Sequence, residues 1–163
     1  MKMMNIIHDS VVDGEGLRTV LFFAGCPHFC RGCHNPQSWR MENGTEMSIA
    51  EALEEIASNP ISDVTFSGGD PFAQAEEAYQ LAREVRRMGK NLWVYTGYTL
   101  EQLLAHGTAE QRWLLAECDM LVDGPFVLAE RDITLAFRGS RNQRLIPRAA
   151  LLDALKANVM IGC

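Results

Sequence analysis

The sequence predicts an α/β fold, in the form of an incomplete, open-sided (β/α) barrel with a mostly parallel sheet. Short apolar runs typical of buried strands alternate with segments of helical periodicity, which is the pattern of parallel βαβ units. The chain has 163 residues, whereas a full eight-unit barrel takes about 250. Because right-handed crossovers place the carboxyl ends of such strands on one rim, we expect a ligand site there.

The first strong strand is predicted at Thr19–Phe23, a run of β-branched and aromatic residues that Ala24-Gly25 ends. Ser48 with Glu51 three residues later has the spacing of a capping box and predicts the start of a helix. The second strand is predicted at Val64–Phe66. Later elements follow in the same way: a helix with apolar residues from Ala75 to Val85, a strand at Leu92–Tyr95, helices that begin at Thr99 and Thr108, a strand at Met120–Val122, a strand remnant from Leu145 and an amphipathic tail at Ala149–Leu155.

Composition and charge limit the possible functions. The formal net charge is −6, so direct nonspecific binding of nucleic acid, which depends on Lys and Arg, is not expected. Residues 1–10 contain too short an apolar run for a signal peptide or a membrane span. We therefore expect one domain over residues 1–163, in a reducing cytoplasm, where cysteines serve metals or redox chemistry rather than disulfides.

The strongest chemical signal is a cysteine loop directly after the first strand. Cys26, Cys30 and Cys33 have the spacing C-x3-C-x2-C, and thiolates are the ligands that iron–sulfur and zinc sites select. The other cysteines, Cys118 and Cys163, lie far along the chain. Three thiolates on a four-iron cluster would leave one iron open to bind a substrate.

Zinc is the alternative for this loop. His28 or His34 could supply the fourth ligand of a closed Cys3His site, which would make the protein a zinc-stabilised binding module without catalysis.

A second motif, Ser67-Gly68-Gly69-Asp70-Pro71, follows the second strand. Its two glycines let a backbone approach a ligand closely. A tight strand-to-helix turn is the structural alternative for this motif.

Several motifs in order resemble the radical S-adenosylmethionine enzymes that activate glycyl-radical enzymes. Within that family, the likeness is greatest to activases of anaerobic ribonucleoside-triphosphate reductase, and it extends over about residues 12–144, leaving the tail 145–163 unassigned. The motifs are Val12-Asp13-Gly14-Glu15-Gly16-Leu17-Arg18, Leu21 to Cys26, the cysteine loop, Asn35 to Trp39, Ser67 to Pro71, Tyr95-Thr96-Gly97-Tyr98, Val122 to Val127 and Arg138 to Arg144.

The resemblance implies an enzyme with two cofactors, a [4Fe-4S] cluster held by Cys26, Cys30 and Cys33 and S-adenosyl-L-methionine. In this family the reduced cluster passes an electron to the sulfonium, which yields methionine and a 5′-deoxyadenosyl radical that takes a hydrogen from a glycine. The implied cofactor-binding residues are Gly32, Cys33 and His34 beside the adenine, Ser67, Gly68, Gly69 and Asp70 at the methionine amino group, and Thr96 and Asp123 at the cosubstrate or a cation.

Two positions invite closer comparison with the family. Many members carry an aromatic residue immediately before the third cysteine, where it stacks on adenine, but this chain has Gly32. Asp13 and Arg18 match the entry motif of the family. Two roles are open for them: an ion pair that fixes the loop, or a contact with the protein substrate.

The implied partners are the large subunit of anaerobic ribonucleoside-triphosphate reductase, which carries the glycine, and a reduced flavodoxin or similar electron donor. The alternatives keep the chemistry and change the target: a formate-lyase type glycyl-radical enzyme, or a modified purine. The segment Arg138 to Gln143 and the short chain favour the reductase.

Overall fold

One seven-stranded sheet forms the centre of the computed structural model, which describes residues 1–162, with side chains through residue 159. The strands are Lys2–Ser10 (β1), Arg18–Phe23 (β2), Thr45–Glu46 (β3), Asp63–Gly68 (β4), Leu92–Tyr95 (β5), Met120–Asp123 (β6) and Arg144–Pro147 (β7). Their order is β3-β1-β2-β4-β5-β6-β7, so the sheet is open. The four central strands, β2, β4, β5 and β6, are parallel, and the remaining pairings at the two sides are antiparallel.

Five α-helices accompany the sheet, at Ile49–Ala57 (α1), Ala75–Arg87 (α2), Leu100–His106 (α3), Ala109–Glu117 (α4) and Arg148–Gly162 (α5). Their starts agree with the predicted caps. The Ser48 hydroxyl accepts a hydrogen bond from the Glu51 N–H, and Thr99 and Thr108 each form a full capping box. These caps satisfy backbone donors that the first helical turn would otherwise leave open.

The helix-covered face of the sheet holds the main apolar core. Alternate residues of the central strands, such as Phe66 on β4 and Val94 on β5, are fully buried there against the helices. Phe66 packs on Phe23 of β2 with ring centroids 5.2 Å apart. The helices contribute the opposing side of this core, with buried Ile56, Leu81, Val85, Leu103, Leu114, Leu115 and Leu151.

The loop-covered face of the sheet carries the other alternate residues of the same strands, among them Thr65, Ser67, Trp93 and Tyr95, because side chains alternate along a strand. Irregular segments at 11–17 and 124–143 cover this face. The Thr65 hydroxyl donates to the backbone carbonyl of Asp13 (2.7 Å), and the Tyr95 hydroxyl donates to that of Phe137 (2.8 Å).

The predicted α/β class and central strands are confirmed, but two strands were not predicted. β1 pairs antiparallel with β2, and β3 adds two residues beyond it. After Met3, the side chains of β1 alternate between half-buried and exposed, and none is fully buried. The apolar pattern of this strand in the sequence is correspondingly weak. The predicted strand remnant and tail correspond to β7 and α5. Among residues 1–162, no helix combines the length and the hydropathy needed to cross a bilayer.

Candidate functional site

The cysteine loop, residues 26–33, leaves the carboxyl end of β2 and folds back on itself. Phe29 and Gly32 both have positive φ, at 48° and 81°, which produces the reversals that the loop needs. The backbone is held at its start, where the Cys26 N–H donates to Trp39 (3.1 Å), and at its end, where the Cys33 N–H donates to Cys30 (3.1 Å). The loop is therefore defined by its own sequence and by the segment that follows it.

All three loop cysteines are free thiols of intermediate burial. Burial raises the pKa of the Cys26 thiol to about 11, although a hydrogen bond from the His28 backbone acts in the opposite direction. The Asn35 N–H approaches the Cys33 sulfur at 3.4 Å. Burial disfavours the thiolate form of Cys26. The positive charge of a bound metal would stabilise that thiolate and make Cys26 a ligand.

Cys118 lies elsewhere in the fold. It is fully buried after α4, burial raises the pKa of its thiol, and its sulfur donates to the Leu114 carbonyl at 3.3 Å. It behaves as a small apolar residue of the core. Cys163 falls outside the described residues.

Backbone hydrogen bonds join the Gly-Gly turn after β4 to the end of β2, immediately before the cysteine loop. The Gly69 N–H donates to Phe23 and the Asp70 N–H to Gly25, both at 2.8 Å. A Cβ on Gly68, which has φ of 99°, would overlap the backbone of Phe23, and one on Gly69 would lie 2.5 Å from the Gly25 oxygen. Only glycine at both positions allows this close approach of the two segments.

The Asp70 side chain is placed differently from its neighbours. Its carboxylate is completely buried and accepts hydrogen bonds from the Phe72 and Gly97 N–H groups, the Thr96 hydroxyl and the His28 ring. These four donors occupy the carboxylate. The Asp70 backbone is also engaged, because its N–H donates to Gly25 and its carbonyl accepts from Ala73.

Thr96 and Asp123 end two neighbouring strands but differ in what they face. Thr96 lines the cleft beside the cysteines. Asp123 is buried outside the cleft lining, where its carboxylate accepts from the Leu100 N–H (2.8 Å) and pairs with Arg144. In this position Asp123 joins the ends of β6 and β7 to the start of α3.

These segments meet around one cleft of about 210 Å³ at the carboxyl ends of the parallel strands. Its lining includes eight of the eleven site residues predicted from the sequence: Cys26, Cys30, Cys33, His34, Ser67, Gly68, Gly69 and Thr96. Gly32, Asp70 and Asp123 do not line it. Eight more residues line it for which the sequence predicted no contact with the cosubstrate. One is His28, which was considered only as a zinc ligand. The others belong to the motifs of the family resemblance: Asn35, Tyr95, Gly97, Gly124, Phe126, Gly139 and Gln143.

Phe126 occupies the space next to Gly32. A Cβ on Gly32 would lie 3.3 Å from the Phe126 ring and 3.0 Å from Leu128, and one on Gly139 would lie 3.0 Å from the same ring. Phe126 also contacts the His34 ring, with centroids 5.6 Å apart. The aromatic ring beside Gly32 thus comes from the segment after β6, a long-range contact that loop spacing could not reveal.

Arg18 does not pair with Asp13, so the ion pair considered from the sequence is wrong. Arg18 is 2% exposed and donates to the carbonyls of Glu15 and Val64 and to the Asn91 side chain. Burial lowers the pKa of its guanidinium. Asp13 instead accepts from the Ser10 hydroxyl at 2.6 Å. Arg18 therefore fastens the 11–17 segment to the sheet from inside.

Three thiols on one cleft are a donor set that an iron–sulfur cluster can use. Within the described residues, no group of three or more His, Cys, Asp or Glu side chains is placed to hold a single metal ion. A structural zinc site needs all its ligand atoms within about 2.0–2.3 Å of one centre. A four-iron cluster is larger, and its cysteines bind different irons, so three separate thiols on one cleft suit it.

Comparison with known proteins gives a consistent result. The family model described as "4Fe-4S single cluster domain" matches residues 12–146. A protein of Haemophilus influenzae is 34% identical over 154 residues, covering 88% of this chain and 96% of its own length. Proteins of Pasteurella multocida (39% over 142 residues, 82% of this chain and 89% of theirs) and Escherichia coli K12 (35% over 144 residues, 82% and 90%) are similar too. All three are named anaerobic ribonucleoside-triphosphate reductase-activating protein.

Proposed function

Because this chain belongs to the family of anaerobic ribonucleoside-triphosphate reductase-activating proteins, we propose that it generates a glycyl radical on such a reductase. The proposed route is reductive cleavage of S-adenosyl-L-methionine at a [4Fe-4S] cluster. We also propose that the open sheet, with helices on one face, corresponds to the open-sided barrel of radical S-adenosylmethionine enzymes.

One observation carries this proposal: three free thiols of one loop lie on a single cleft at the carboxyl ends of the parallel strands. Cys118 is buried in the core and faces away from this chemistry. Cys26, Cys30 and Cys33 would hold three irons and leave the fourth without a cysteine from residues 1–162. The amino and carboxylate groups of a methionine moiety are suitable ligands for that iron.

The chain's own groups would bind and orient the cosubstrate. The backbone of residues 67–69 borders the cysteine side of the cleft without large side chains, so its polar groups can reach the methionine amino group. Thr96 lines the same cleft, next to the end of β5. Residues 32–34 would border the adenine, with Phe126 supplying aromatic surface beside the backbone of Gly32.

When bound, the reduced cluster and S-adenosyl-L-methionine together supply a 5′-deoxyadenosyl radical, and the protein's task is placement. A primary carbon radical reacts with nearby C–H bonds, so water and stray groups have to be excluded until the glycine arrives. Tyr95 and Phe126 contribute walls to this cleft, and Gly139 and Gln143 of the segment 124–143 border it as well.

The proposed protein partner is the glycine-bearing subunit of the reductase, and it would approach from the loop-covered face. No helix layer lies over that face among the described residues, so a peptide segment can reach the cleft there. A reduced flavodoxin or a similar one-electron donor would serve the cluster. Both contacts would be made in the cytoplasm.

Anaerobic reconstitution tests the proposal. We expect about four irons per chain, a brown colour and a change in the electron paramagnetic resonance spectrum of the reduced cluster when S-adenosyl-L-methionine is added. Colourless protein with one zinc per chain would contradict the proposal and favour the binding module.

The target is tested separately, by measuring cosubstrate cleavage and the glycyl-radical signal with the reductase and without it. A radical on the reductase supports the proposed partner. Formation of a radical only on a formate-lyase type enzyme, or turnover of a modified purine, would identify the other targets.

A further inference from the structure

His28, between the first two loop cysteines, enters a narrow slot at the ends of β4 and β5. Its ring Nε2 lies 2.6 Å from the Asp70 carboxylate, and its side chain is 14% exposed. The ring also meets Tyr98 edge-on, with centroids 4.5 Å apart. A Cβ on Gly97 would overlap the imidazole, so the absence of a side chain at that position creates the slot.

The Asp70 carboxylate that His28 contacts is held in place by three further hydrogen bonds. One carboxylate oxygen caps the turn at Pro71–Gln74 through the Phe72 N–H (2.9 Å). The other accepts from the Thr96 hydroxyl (2.9 Å) and the Gly97 N–H (3.0 Å) as well as from His28. A buried carboxylate that loses one of these donors is left undersatisfied, which favours keeping all four.

Among the side chains of residues 1–159, the contact of His28 with Asp70 is the only hydrogen bond that joins the Cys26–Cys33 segment to the strand-end turns. The other hydrogen bonds of the loop lie near its two ends: backbone bonds at Cys26 and Cys33, and the Asn35 N–H on the Cys33 sulfur. The contact with Asp70 therefore fixes the position of His28 and, with it, the middle of the Cys26–Cys30 segment.

We propose that His28 is a positioning residue for the cluster, held by Asp70 and Gly97, and that it acts through the Cys26–Cys30 segment rather than by touching the cosubstrate. This inference rests on the proposed function, because it needs a cluster on the three cysteines. Outer partners that orient metal ligands typically contribute about 10- to 100-fold in metal affinity.

The test measures the rate at which the reconstituted protein loses iron to a chelator, without cosubstrate or reductase. We expect His28→Leu to lose iron about 10-fold faster or more. His28→Gln keeps an N–H donor at a similar reach and is expected to restore most of the retention. His8→Leu is the matched control. His8 lies on β1, where it contacts Thr19 (3.0 Å) and Glu55 of α1 (3.1 Å) and does not line the cleft, so this variant should lose iron at the wild-type rate.

Gly97→Ala provides an independent variant that retains both partners. Gly97 is outside the left-handed region, so alanine fits its backbone and only displaces the His28 ring. We expect the same acceleration of iron loss, and no further acceleration in the His28→Leu/Gly97→Ala double variant, because both changes break one link. Thermal unfolding of the metal-free variants distinguishes faster iron loss from a loss of stability. If His28→Leu does not fold, iron loss from Gly97→Ala tests the role of His28.

Iron loss at the wild-type rate in Gly97→Ala, or strictly additive effects in the double variant, would overturn the role of His28. A wild-type protein that takes up no cluster at all would instead overturn the proposed function. The two failures are thus distinguishable.

Discussion

The helix-covered and loop-covered faces of the sheet are built from alternate residues of the same strands, but one forms the apolar core and the other borders the cleft. On β4, Val64 and Phe66 lie in the helix-packed core, whereas Thr65 bonds to the 11–17 segment and Ser67 lines the cleft. A strand of six residues can thus serve stability and chemistry at once. The difference teaches that the stability of the core and the chemistry of the cleft can be changed separately.

The largest expected effect is on the cleft, from Cys30→Ala. This variant should lose the cluster and radical formation completely while its circular dichroism stays that of the wild type, because the apolar core lies on the other face. Iron content and cosubstrate cleavage are the measurements. Cys118→Ala, in the core, is the control that should retain iron. Cleavage at the wild-type rate by Cys30→Ala would contradict the ligand assignment.

The reverse separation is expected for Phe66→Ala on the helix-covered face. Loss of this fully buried ring should reduce the free energy of unfolding by about 3–5 kcal/mol, through lost burial and a cavity beside Phe23. Denaturant titration measures it. Ile133→Ala, at an 85% exposed position of the covering segment, should stay within about 0.5 kcal/mol of wild type. Equal losses for both variants would show that the two faces are not separable.

A smaller effect is expected for Tyr95→Phe, which removes the hydroxyl that holds the Phe137 carbonyl. We expect a loss of about 1 kcal/mol in the free energy of unfolding, together with faster proteolysis of residues 131–138. Tyr79→Phe on α2, whose ring packs on Trp113, is the matched control. Unchanged proteolysis in Tyr95→Phe would mean that the segment is held by other contacts.

The smallest effect is expected for Glu101→Gln, at the start of α3, where the helix side meets the strand ends. The Arg144 hydrogen bond lowers the pKa of the Glu101 carboxyl, so the pair stabilises the native protein above the ordinary value of 4.5 and this contribution is lost as the pH falls through the lowered value.

We therefore expect the variant to be less stable by about 0.2–1 kcal/mol at pH 7, with a difference that shrinks below pH 4.5. Unfolding at a series of pH values measures it, with Glu54→Gln as the control. A difference that grows on acidification would contradict this sign.

Predictability from the sequence differed between the two faces. The apolar run Thr19–Phe23 and the capping residues Ser48, Thr99 and Thr108 predicted the elements of the helix-covered side, because such signals depend on near neighbours in the chain. The sequence did not predict β1, because this strand is mostly half-exposed and takes its stability from pairing with β2.

On the site side, the sequence by itself determined the ligand chemistry: three thiols at C-x3-C-x2-C and a Gly-Gly turn after a strand. Only the tertiary structure decided that His28 reaches Asp70 across 42 positions, and that Phe126 lies beside Gly32. Residue types and spacings specify which groups are available, since these are local properties of the chain. Which buried carboxylate takes which donor is decided by packing between distant segments, where each donor competes for a limited number of acceptors.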